Sequence, residues 1–118
     1  MTASGRRWIV RLSAVAEADI VEVLRWTADH FGPRQTRLYA DTILAALEAL
    51  SNGPMAAGAR PRDDIARGLY TLHVARKKRK GRHFVVFRIA HASKRDVVEV
   101  LRVLHDAMEL SRHLPRDG

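Results

Sequence analysis

The sequence predicts an α+β fold: a helical hairpin packed on a mostly antiparallel sheet, in the order β-α-α-β-β-β-α. Three observations lead there. Two apolar, β-branched runs, Phe84 to Ala90 and Val97 to Leu104, are joined by a polar stretch from His91 to Asp96, the pattern of an antiparallel hairpin. From Ser13 to Asn52 apolar residues recur at helical spacing, interrupted at Phe31-Gly32-Pro33. The length of 118 residues supports one real core but not two, so residues 1–118 are read as a single domain.

In chain order, Trp8-Ile9-Val10-Arg11-Leu12 reads as a short strand. Ser13 is placed to cap the next helix, its hydroxyl accepting from a free amide of the first turn. Glu17 and Asp19 follow where the helix dipole favours negative charge. Ala16, Ile20, Val23, Thr27 and Phe31 form one buried stripe by spacing, with Glu22, Arg25 and Asp29 on the wet side. Gly32 and Pro33 stop this helix, because glycine tolerates a left-handed cap and proline cannot continue the ladder. Pro33 also suits the start of a second helix, to about Asn52, with a stripe of Tyr39, Ile43, Ala46, Leu47 and Leu50 and with Leu38 and Thr42 alongside. So tight a link makes the two helices an antiparallel hairpin. Met55 to Arg67 reads as a loop, Leu69 to Ala75 as a strand, and Lys77 to Gly81 as a turn into the long strand pair. After Leu104 the period suits a short helical tail, from His105 towards Leu114 and ended by Pro115.

Composition excludes several classes. Hydrophobic residues make up 47% and charged residues 29%, which is globular rather than disordered. No apolar run approaches a membrane span of about 18 residues. The start, MTASGRRWIV, has no long apolar signal core, so a soluble, cytoplasmic protein is expected. Without cysteine there is no disulfide or thiolate chemistry. No histidine pair has metal-ligand spacing with a third ligand nearby, and no phosphate-binding glycine loop or nucleophile elbow occurs, so neither metal nor cofactor is expected. The net charge of +8 is uneven. Residues 1–59 hold six basic and six acidic side chains, whereas 60–118 hold fifteen and seven. An acidic partner would therefore dock on the second half.

The helix pair can cover one face of the sheet. By strand parity Val85, Phe87, Ile89, Leu101 and Val103 are assigned to the helix side. Phe84, Val86, Arg88, Ala90, Val98, Val100, Arg102 and Leu104 remain on the other, an apolar surface around two arginines. Such a face fits an amphipathic acidic segment from another chain, with Phe84, Val86, Arg88, Val98, Val100 and Arg102 as its contacts. A one-residue register slip would separate the arginines. Arg88 and Arg102 could equally pair with carboxylates at a sheet rim, and His105 could be structural. The run Arg76 to Arg82 carries six cations without an aromatic, which reads as a solvated hairpin tip and only a weak nucleic-acid signal. A helix-turn-helix over Ser13–Asn52 ranks last, since residues 14–59 hold only Arg25, Arg34 and Arg37 as cations.

Several short motifs, in order and spacing, resemble the ParE toxins of bacterial type II toxin–antitoxin pairs, within the RelE/ParE superfamily. They are Ala16-x-x-Asp19-Ile20, Phe31-Gly32, Tyr39, Leu47-x-x-Leu50, Gly53-Pro54, Gly58 with Arg60, Gly68-Leu69, the strands FVVFRI and VEVLRVLH, then Met108 and His113-Leu114. The resemblance spans residues 8 to 114. It implies a growth-arresting toxin of the kind linked to plasmid stabilisation, neutralised by an acidic ParD-like antitoxin. DNA gyrase is the implied target, inhibited by binding rather than chemistry, with His105, Met108 and His113 as target contacts and no direct nucleic-acid binding outside the complex. Val86-Phe87-Arg88 departs from the family's triplet, in which a tyrosine usually stands beside the arginine, and this bears on the target. The alternative is a RelE-like ribosome-dependent endoribonuclease, with Arg88, Arg102 and His105 supplying part of the acid, base and phosphate contacts. That branch's lysine–arginine–tyrosine cluster has no counterpart in the last strand and tail, since Tyr39 and Tyr70 lie elsewhere.

Overall fold

Ser13 starts the helical run in the expected way: its Oγ accepts the Ala16 amide at 3.0 Å while its own backbone is extended. Around that start the computed structural model describes residues 7–92 and 94–107. The order is β1 (Ile9–Leu12), α1 (Ala14–Ala49), a 3-10 segment (Leu50–Met55), β2 (Arg60–Pro61), β3 (Leu69–His73), β4 (His83–Ala92) and β5 (Arg95–His105).

The 36-residue α1 is bent into a hairpin. A straight helix of that length would measure about 54 Å, whereas the longest dimension of the molecule is 43 Å. Its two ends also return to one place: the Ser13 amide donates to Val100 O, and Ser51 O accepts the Trp8 amide, just upstream of β1. The bend is at Gly32, with φ 84° and ψ 177°, a region open essentially to glycine. Pro33 then opens the second arm. Ala16, Thr27, Thr42, Ile43, Ala46 and Leu50 are buried as their spacing predicts. Phe31 and Leu38 are not. They stand 61% and 51% exposed.

The five strands lie in the order β1-β5-β4-β3-β2. Every neighbouring pair is antiparallel except β1 with β5, so the sheet is mixed although mostly antiparallel. β2 is a two-residue edge strand, formed within the stretch expected to be loop.

A bulge in β5 decides which residues face the helices. β4 and β5 stay in step from Ala92–Arg95 to Phe87–Val100; Val86 then pairs with Arg102, leaving Leu101 as the extra residue. Strand parity assumed an unbroken ladder and is corrected here. Val98 and Val100 are fully buried in the helix-side core with Val85, Phe87, Leu72, Ala46 and Leu50. Leu101 instead packs on the opposite face with Val86, Leu104, Leu69 and Phe84. Val103, beyond the bulge, sits opposite Val85 and keeps the side expected of it.

The tail helix expected to begin at His105 does not begin there, because that residue closes β5. Residues 108–118 lie outside the described residues. No helix among the described residues is long and apolar enough to cross a membrane.

Candidate functional site

The face of the sheet away from α1, here the open face, is where three expected contact residues meet. Phe84, Val86 and Arg88 alternate along β4 on that side. Val86 is fully buried with Leu69 and Leu104, and half-buried Phe84 and Leu101 flank them. Ile65 and Ala66 also pack on this cluster, so the 62–68 segment covers part of the face. Val98 and Val100 do not belong to it.

The two expected arginines have carboxylate partners. Arg88 Nε lies 3.0 Å from Glu99 Oε1, its cross-strand neighbour, and remains half exposed. Arg102 is held by the first arm of α1: Nε and Nη2 donate to the two Asp19 oxygens at 2.8 and 3.0 Å. Asp19 Oδ2 also accepts the Val103 amide at 2.9 Å, while Ser13 Oγ donates to Leu101 O at 3.0 Å. β1 pairs only with Val97 to Val100, so these two side chains take over where it stops. Hydrogen bonding to Asp19 raises the Arg102 pKa. Asp19 was read from the sequence as a dipole-favoured carboxylate; its partner 83 residues away left no local signal.

At the end of the sheet where β4 begins and β5 ends, sequence reasoning missed a cluster of titratable groups. His83 and His105 are cross-strand partners with ring centroids 5.2 Å apart. Tyr39 OH accepts the Arg82 amide at 3.0 Å and shares a second hydrogen bond with His83 Nδ1 at 2.6 Å. The His73 and His105 Nδ1 atoms accept the Ala75 and Ala107 amides, both at 3.0 Å. An amide N–H can only donate, so each neutral ring carries its proton on Nε2. His73 Nε2 therefore donates to Asp106 Oδ2 at 3.1 Å, and Arg82 lies 3.5 Å from the other oxygen. The bond from His73, ahead of the charge of Arg82, holds the Asp106 carboxyl below its ordinary range. Burial, then the neighbouring His105, lowers His83 to about 4, leaving it neutral near pH 7. The histidines in or beside three expected strands were the available signal, but the register that brings them together was not legible.

Of the expected target contacts, His105 is in this cluster, whereas Met108 and His113 lie outside the described residues. Among the described residues, no group of three or more histidines and carboxylates could hold a metal ion.

A third feature borders the open face. A groove of about 390 Å³ runs beside β2 and β3, lined in part by Arg60, Arg62, His73, Arg76 and Phe84. Arg62 is forked onto Asp64 at 3.0 and 3.1 Å. The turn that follows Arg76 carries the basic run noted in the sequence.

Comparison with known proteins is consistent across sequence and fold. The family model described as the ParE toxin of the type II toxin–antitoxin system parDE matches residues 10–110. Toxin ParE1 of Caulobacter vibrioides is 30% identical over 104 residues, covering 88% of this chain and 95% of that protein. Among solved structures, a chain of the chromosomal ParDE TA system from P. aeruginosa superposes with a TM-score of 0.66 at 16% identity, covering 83% of this chain and 95% of that one. The YoeB/ParE toxin from Agrobacterium tumefaciens gives 0.54 at 11% identity, covering 82% and 96%. At such identities these two likenesses concern the fold.

Proposed function

Since this chain belongs to the ParE toxin family of type II toxin–antitoxin systems, we propose that a ParD-like antitoxin neutralises it and that it arrests growth by binding DNA gyrase. The antitoxin reading is supported by the unevenly charged surface. The open face offers Phe84, Leu101 and the half-exposed Arg88 around a buried apolar centre, and Arg60, Arg62 and Arg76 stand at its margin. An acidic, amphipathic segment matches that combination and would order on binding.

Action by binding rather than catalysis rests on one observation above others: the side chains that RNA cleavage would use are already engaged. Arg102 is forked onto Asp19, Arg88 is paired with Glu99, and His105 Nδ1 accepts the Ala107 amide. A general base needs a free ring nitrogen, and His105 in this tautomer presents a donor. The test is a paired assay with purified protein. Gyrase supercoiling should be inhibited, while mRNA in translating ribosomes stays intact. Ribosome-dependent cuts that vanish in His105→Ala would replace this reading with the endoribonuclease one, and supercoiling unaffected by excess protein would remove gyrase as target.

A further inference from the structure

The basic turn and the groove beside it form one continuous cationic surface, which the sequence shows only as a run. Arg60 on β2 pairs with Thr71, so it points to the open face with His73 and Phe84. Arg76 lines the same groove, its Nε anchored on Ala57 O at 3.2 Å, and the chain then turns through Lys77, Lys78, Arg79 and Lys80, all exposed. Arg62 and Arg82 have Asp64 and Asp106 close by. Among the described residues, no carboxylate lies within ion-pair distance of Arg60, Arg76, Lys77, Lys78, Arg79 or Lys80.

The backbone of this turn disfavours the residues it carries. The Arg79 amide donates to Arg76 O at 2.8 Å, and the two central residues have positive φ, 50° at Lys77 and 69° at Lys78. That is the pattern of a type I′ turn, for which asparagine and glycine are the favourable residues. Lysine at both centres sacrifices local stability and gains only charge.

We infer that this groove and turn are a binding site for the phosphodiester backbone of duplex DNA. Three features favour a duplex backbone over an added peptide strand or a single nucleic-acid strand. The β2 edge is two residues long and includes Pro61, which lacks an N–H, so a peptide cannot lengthen the sheet here as an added strand. Single strands are gripped by aromatic faces, but Phe84 meets the His73 ring edge-on, centroids 4.8 Å apart at 85°, and the turn carries no aromatic residue. What remains is a set of side-chain cations at the spacing of a surface, which contact phosphates and read no bases. This inference does not depend on the gyrase reading.

Fluorescence anisotropy of the full chain with a mixed-sequence DNA duplex tests it. With six phosphate contacts, affinity should fall roughly 1,000-fold between about 50 and 200 mM salt, with little dependence on sequence. In a variant combining Lys77→Gly, Lys78→Gly, Arg79→Gln and Lys80→Gln, the fall over that range should shrink to about 10-fold. The two glycines relieve the positive φ angles, so Tm should hold or rise and unfolding cannot account for the loss. Arg60→Gln should weaken binding further. Salt-insensitive binding, a variant with the parent's salt dependence, or tighter binding to a single strand of the same length would each overturn the inference.

Discussion

Asp19 accepts three hydrogen bonds from one short segment of β5: the Val103 amide and two guanidinium nitrogens of Arg102. The side chains are only 26% and 15% exposed, so the pair is partly shielded from water. Charge-assisted bonds in such a place contribute about 1.5–3 kcal/mol. Arg102→Ala would leave the carboxylate with the amide alone; it should lower stability by about 2 kcal/mol and Tm by roughly 5–10 °C. Arg88→Ala is the contrast. Its pair with Glu99 is half open to solvent, and its loss should change stability by less than about 1 kcal/mol. Equal melting temperatures for the two variants would show that Asp19 does not join the helix to the sheet. His83 gives the protein an acid limb. Its folded pKa, about 4, lies below its ordinary value of 6.5, so the unfolded chain binds more protons between those values. Stability is complete above about pH 6.5 and falls as pH drops towards 4. Asp106, itself lowered, adds a loss of the same sign at still lower pH. Tm measured from pH 7 to 4 should decline, and His83→Gln should flatten that decline; an unchanged slope would place its origin elsewhere.

At the scale of the elements, what was legible depended on how local each signal was. The Ser13 cap, the break at Gly32-Pro33 and the antiparallel pairing of β4 with β5 are written within a few residues of where they act, and each formed. The β4–β5 ladder nevertheless runs on through the pairs His91 with Asp96 and Ala92 with Arg95, where a polar connection was expected. The parallel pairing of β1 with β5 is not local: it joins Ile9 to Val97, and both strands are equally apolar in either direction. The bulge was hidden for a different reason. Leu101 and Val103 are both apolar, so inserting one residue into the ladder leaves the pattern looking unbroken while it reverses the faces. The error therefore fell on Val98 and Val100 before the bulge and on Leu101 within it, and spared Val103 after it. Phe31 and Leu38 follow helical spacing as faithfully as Ile43 does, yet they stand in solvent. Periodicity identifies a face of a helix; it does not say which residues of that face the sheet covers.

At the scale of the whole molecule, the large apolar side chains left in solvent among the described residues lie mainly on α1. Val15, Val21, Trp26, Phe31, Leu38 and Leu44 are each more than half exposed, and Trp26 stacks on His30 with centroids 4.1 Å apart beside Phe31. Trp26 and Phe31 lie together just before the bend at Gly32, and large exposed apolar side chains of this kind mark a surface that a partner covers. Under the proposed neutralisation, the antitoxin's acidic segment crosses the open face and continues over this hairpin. Trp26 reports on that directly. It is 55% exposed in the chain by itself, so its emission should lie towards that of an indole in water, and covering it should shift the emission to shorter wavelength. Trp8, the other tryptophan, is already partly buried against the helix-side core and supplies a constant background. Co-expression with the product of the adjacent reading frame, followed by size exclusion, should yield one complex at low salt. Its emission should be blue-shifted relative to the toxin, and Trp26→Phe should remove the shift without dissolving the complex. Two proteins eluting separately would refute the partner. A stable complex with Trp26 still in water would confine the antitoxin to the sheet and leave the hairpin free for the target.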